Sequence, residues 1–113
     1  MASADGVIST HILDTVTGDP AAAVHVRLDQ RAGDSWQAVA AGRTDRDGRL
    51  RLAVPADRWR PGGYRLTFDV AAHLGPDAFF PEVTVAFQVA GPDRPYHVPL
   101  LLSRYGYTTY RGS

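Results

Sequence analysis

Residues 64–70 alternate without interruption: Tyr64, Leu66, Phe68 and Val70 are apolar, and Arg65, Thr67 and Asp69 between them are polar. Successive side chains of a strand point to opposite faces, so this spacing predicts a β-strand with one dry face and one wet face. The period recurs at Val83, Val85, Phe87 and Val89, at Leu50, Leu52 and Val54, and at Val24, Val26 and Leu28, with His25, Arg27 and Asp29 facing away. Val7 to Leu13 is strand-like too, with Val7, Ser9, His11 and Leu13 on one side. Short strands are also predicted from Trp36 to about Ala41, from about Arg94 to Leu102 and from Arg104 to Tyr110, eight in all.

Turn chemistry separates these segments. Thr17-Gly18-Asp19-Pro20, Ala32-Gly33-Asp34-Ser35 and Thr44-Asp45-Arg46-Asp47-Gly48 are turn signals, and Gly48 suits a positive φ. The one helical candidate is a single turn, Ala71-Ala72-His73-Leu74, stopped by Gly75-Pro76. Many short strands with almost no helix predict an all-β fold of two packed antiparallel sheets. At 113 residues, with no internal repeat or linker, the chain reads as one domain over 7–113 after a small polar, disordered tail at 1–6.

Composition removes several kinds of function. All twelve basic residues are Arg, eleven of the twelve acids are Asp, and the formal charge is zero, so no basic footprint points to nucleic acid or an anionic membrane. The absence of Cys excludes thiolate catalysis, disulfides and Cys-based zinc sites. No apolar stretch has the ~20 residues of a membrane helix, and the first residues lack the basic start and apolar middle of a signal peptide. The expectation is a protein of the bacterial cytoplasm, without nucleic-acid or membrane partners.

The remaining reactive groups are four His, the Asp set, hydroxyls and Arg. His11 and His97 lie on predicted strands, and each is open to two readings: a histidine satisfied by a nearby carbonyl, or an acid–base group. His25 and His73 read as solvent-facing and helical, without a catalytic role. No His pair has metal-ligand spacing, and no Gly-x-Ser-x-Gly elbow supports a serine nucleophile. Arg49, directly after Gly48, is either a solvated edge charge or a fork of donors at a pocket rim. The chain closes on Tyr110-Arg111-Gly112-Ser113, which reads either as a solvated end or as ordered polar chemistry.

Several of these motifs together resemble a known family. Ile8-Ser9-Thr10-His11-Ile12-Leu13-Asp14 with Gly18-Asp19-Pro20-Ala21 looks like the opening signature of the transthyretin-like 5-hydroxyisourate hydrolases. Thr44-Asp45-Arg46-Asp47-Gly48-Arg49 is similar to their central motif. Tyr96-His97-Val98-Pro99-Leu100-Leu101-Leu102-Ser103, followed by Tyr105 to Ser113, is similar to their closing signature. Arg104 and Thr108 depart from it, standing where the family usually has Pro and Ser.

The resemblance implies a transthyretin-like sandwich of two four-stranded antiparallel sheets with one short helix. It implies hydrolysis of 5-hydroxyisourate, a small molecule of urate breakdown, with no cofactor and no metal. It also implies a homotetramer, a dimer of dimers with sites at the dimer–dimer interface. His11, Arg49, His97 and Ser113 are the expected catalytic residues. His11, Arg49, Tyr110, Arg111 and Gly112 are expected to bind substrate, with anchoring of the tail as the alternative role for Arg111. The same fold serves a hormone carrier, which lacks the equivalents of His11 and His97 and the Tyr-Arg-Gly-Ser ending.

Overall fold

The computed structural model describes residues 5–113. Its first strand, β1 (Gly6–Asp14), is the centre of one sheet, and its side chains alternate between buried and half-buried along all nine residues. Ile8 and Ile12 are fully buried, whereas Ser9 and His11 face outward. Along one edge β1 pairs antiparallel with β5 (Arg49–Val54) and with the two-residue β2 (Asp19–Pro20). Along the other edge it pairs with β8 (Tyr96–His97) and β9 (Leu100–Leu102), and β10 (Tyr107–Thr109) lies beyond β9.

The second sheet has the order β4 (Ser35–Arg43), β3 (His25–Ala32), β6 (Gly62–Asp69) and β7 (Glu82–Val89), all antiparallel. The two inner faces form the core. Leu52, Val54, Leu100 and Leu102 come from the first sheet, and Val26, Leu28, Leu66 and Phe68 from the second. Phe68 is wholly buried, so Phe68→Ala removes apolar contacts that nothing replaces. The expected cost is ~3–5 kcal/mol, measured by chemical denaturation.

The transthyretin-like sandwich is borne out, with local differences that have physical causes. The long strand expected over Arg94–Leu102 is split at Val98-Pro99, because Pro99 has no N–H for the ladder. Thr10 bridges the gap by donating its hydroxyl to the Val98 carbonyl at 2.6 Å. The pairing of β1 with β8 and β9 is parallel, not antiparallel as expected. The last strand is shorter than expected, because residues 103–106 form its turn: Ser103 donates both its N–H and its hydroxyl to the Gly106 carbonyl. Arg104 is accommodated in that turn and reaches Asp77 at 3.3 Å, with both side chains exposed.

At the N-terminus, residues 1–4 of the expected disordered tail lie outside the described residues. Asp5 and Gly6 do not fit that expectation. Asp5 accepts the Ala56 N–H at 3.0 Å, and Gly6 begins β1 beneath the Trp59 indole, where a Cβ would overlap the ring. The short helix α1 (Ala71–Leu74) forms where expected. It is held to β1 by His73, whose Nε2 lies 2.9 Å from the buried Asp14 carboxylate. Burial alone would raise the Asp14 pKa, but hydrogen bonds from His73 and from the Val16 and Thr17 N–H groups outweigh it and hold the carboxyl below its ordinary range. His73 is thereby a structural group, and His25 is exposed.

Candidate active site

The site lies on the outer face of the first sheet, and strand register assembles it. Ser9 stands opposite Arg51 on β5 and beside His97 on β8. His97 in turn forms a bridge with Gly112 of the C-terminal tail, through the Gly112 N–H and the His97 carbonyl at 2.8 Å. Arg51, Ser9, His97 and Gly112 thus form one row across four backbone segments. His11 and Arg49 are paired two residues further along β1, on the same face. Directly opposed residues of an antiparallel pair have Cβ atoms ~5 Å apart, so these side chains share one surface.

Local sequence explains how Arg49 is presented. Asp45 accepts the N–H groups of Asp47 and Arg49 at 2.9 and 3.0 Å, and the Gly48 N–H closes the turn on the Asp45 carbonyl. Gly48 has φ 75°, and a Cβ there would stand 2.5 Å from the Ile12 carbonyl oxygen. Only glycine fits this left-handed corner, and the strand that starts after it points Arg49 and Arg51 outward. Thr44 ties the turn to the body by donating its hydroxyl to the Ala21 carbonyl and accepting the Val24 N–H.

His97 is half-buried, and its Nδ1 lies 2.9 Å from the Ser9 hydroxyl. Burial lowers its pKa below the ordinary value, and the charges of Arg49 and His11 lower it further. A hydrogen bond to the Ser9 backbone opposes them without cancelling them. The imidazole is therefore neutral at physiological pH, with a lone pair available on one ring nitrogen. Neither Arg49 nor Arg51 forms an ion pair among the described residues, so both guanidinium forks face the site unneutralised.

A cleft of about 470 Å³ runs over this face, lined by Ser9, Arg49, Arg51, His97, Gly112 and Ser113, among others. Four of the expected residues, Arg49, His97, Gly112 and Ser113, converge there. His11 lies beside the cleft, opposite Arg49 and near enough for its charge to act on His97. Tyr110 and Arg111 do not line it. Tyr110 and Arg111 instead border an adjoining groove that shares His97 with the cleft, and the Arg111 guanidinium stacks over the Tyr96 ring at 5.2 Å. Ser9 and Arg51 were not among the expected site residues, although both share the strand parity of His11 and Arg49.

Comparison with known proteins adds a decisive observation: residues 8–112 match the model of the HIUase/Transthyretin family. The chain belongs to this family. Among the family's curated members, the 5-hydroxyisourate hydrolase of Caulobacter vibrioides is 45% identical over 94% of this chain and 97% of its own length. The solved 5-hydroxyisourate hydrolase of Klebsiella pneumoniae superposes with a TM-score of 0.79 at 32% identity, covering 96% of this chain and 99% of that one. Sea bream transthyretin in complex with thyroxine superposes with a TM-score of 0.83 at 33% identity, covering 93% of each chain. Hydrolases and a thyroxine-bound transthyretin therefore share this fold, and the fold by itself does not choose between their roles.

Proposed function

We propose that this chain hydrolyses 5-hydroxyisourate, giving 2-oxo-4-hydroxy-4-carboxy-5-ureidoimidazoline. The observation that carries this reading is the convergence of a half-buried histidine with a depressed pKa, two unpaired arginines and a terminal hydroxyl in one polar cleft. Hydrolysis of an amide by water needs a base, a proton donor and positive charge for the developing oxyanion, and this set supplies all three. The 45% identity to a named hydrolase supports the choice of substrate. The rival reading, a carrier of an aromatic ligand without catalysis, predicts apolar and hydroxyl side chains in the site rather than a histidine beside arginines.

His97 is the general base. In the tautomer that donates Nδ1–H to Ser9, Nε2 presents its lone pair to water, and the Ser9 contact holds the ring plane. Arg49 holds the substrate carbonyl and stabilises the charge that forms on it. His11, opposite Arg49, contributes to substrate binding and to proton traffic. Ser113 donates a hydrogen bond to water or substrate rather than acting as a nucleophile. Gly112 lets the tail backbone approach His97, where a side chain would overlap the imidazole.

The outer position of this face makes an assembly part of the proposal: two copies of the sheet stack across the site in a dimer of dimers. The primary test is the decay of freshly generated 5-hydroxyisourate, followed by ultraviolet absorbance. Added protein is expected to accelerate it catalytically, and an unchanged decay rate would defeat the assignment. Light scattering in the same buffer is expected to give a tetramer. A fully active monomer would remove the interface from the mechanism.

A further inference from the structure

The geometry points to Arg51 as the residue that receives the carboxylate created when the ring opens; this inference rests on the hydrolytic reading above. Arg51 lies two positions after Arg49 on β5, so the strand's alternation places both on the outer face, while Leu50 between them and Leu52 after them turn to the core. It lines the cleft with Arg49, His97 and Ser113, and also borders the adjoining groove floored by Trp59. It therefore stands where the cleft meets that groove. Across the sheet it is in register with Ser9, the residue that contacts His97. Among the described residues no carboxylate pairs with it.

The reaction produces a charge that this cation matches. The oxygen of water bonds to the amide carbon, and the carbon–nitrogen bond breaks. One proton of the water is taken by the base and passed to the departing nitrogen. The other is lost when the new carboxylic acid ionises, leaving a carboxylate where the substrate had a neutral amide. Arg49 alone offers one planar fork. A second fork beside it lets one guanidinium hold the carbonyl from the start while the other binds the two oxygens of the product. Arg51 would then bind the product more strongly than the substrate and contribute most late in the reaction.

Arg51→Gln and Arg51→Lys separate this role from a structural one. Both variants are expected to fold, since the side chain is exposed and unpartnered, and thermal melts would verify this. In low salt, Arg51→Gln should lose about tenfold in kcat/KM and bind accumulated product about tenfold more weakly in progress curves. Tenfold is the lower end of what a charge-assisted hydrogen bond contributes. Arg51→Lys, which keeps the charge but not the planar fork, should recover only part of both, and added salt should narrow the gap between wild type and Arg51→Gln. If Arg51→Gln stays within about twofold of an active wild type in turnover and in product inhibition, this inference fails while the hydrolase reading stands. A wild type without hydrolytic activity would overturn both.

Discussion

Replacing His97 with alanine is expected to lower kcat/KM for 5-hydroxyisourate by at least ~10²-fold, the lower end for a positioned general base. The fold should survive, because the side chain is half-buried and lies outside the apolar core. The pH profile gives this prediction a sign. Only the neutral imidazole accepts a proton, so activity should fall on the acid side as His97 protonates. Burial and the neighbouring Arg49 and His11 depress its pKa, so the acid limb should lie below the reference value of ~6.5. Arg49→Ala removes one of those cations and should move the limb upward, in addition to its own loss of turnover. A limb that stays in place, or moves to lower pH, would contradict the electrostatic coupling of Arg49 to the base.

The second large effect concerns the C-terminal tail. Deleting Arg111–Ser113 removes the Ser113 hydroxyl, the Gly112–His97 bridge and the stacking of Arg111 on Tyr96 together. A loss of turnover of ~10²-fold or more is expected, with the melting temperature little changed, because no core residue is lost. Gly112→Ala isolates one part of this. Its Cβ would overlap Cδ2 of the imidazole and lie 3.2 Å from Pro99 Cγ, so either the tail or the ring must shift. Ser113→Ala keeps the bridge and tests the hydroxyl alone. Full activity in the truncated protein would show that the tail has no part in the chemistry.

Different parts of the molecule were legible in the sequence to different degrees. The alternation of Tyr64, Leu66, Phe68 and Val70 reports burial directly, and all four side chains lie in the core. The turn at Asp45–Gly48 was equally readable, since its glycine occupies a backbone region that other residues rarely adopt. Edges were harder to read. Val85 and Phe87 follow the core pattern, yet both are only half-buried, because β7 is the outermost strand of its sheet. Tyr110 was expected in the pocket from its neighbours in sequence, and the tail sets it in an adjoining groove that shares His97 with the cleft. Arg51 and Ser9 went unassigned because nothing local marks a strand residue as chemically active.

The sequence by itself determined the sandwich, the turn that presents Arg49, and the motifs whose order indicated the family. These depend on interactions over a few residues, where period and backbone preference act directly. Only the tertiary structure decided which side chains meet. The pairing of Ser9 with His97 joins residues 88 positions apart and arises from the parallel register of β1 and β8. The terminal glycine and serine enter the site because the backbone of the tail hydrogen-bonds to His97. Register across a sheet is set by the packing of the whole core, so no single stretch of the chain encodes the row that forms the cleft.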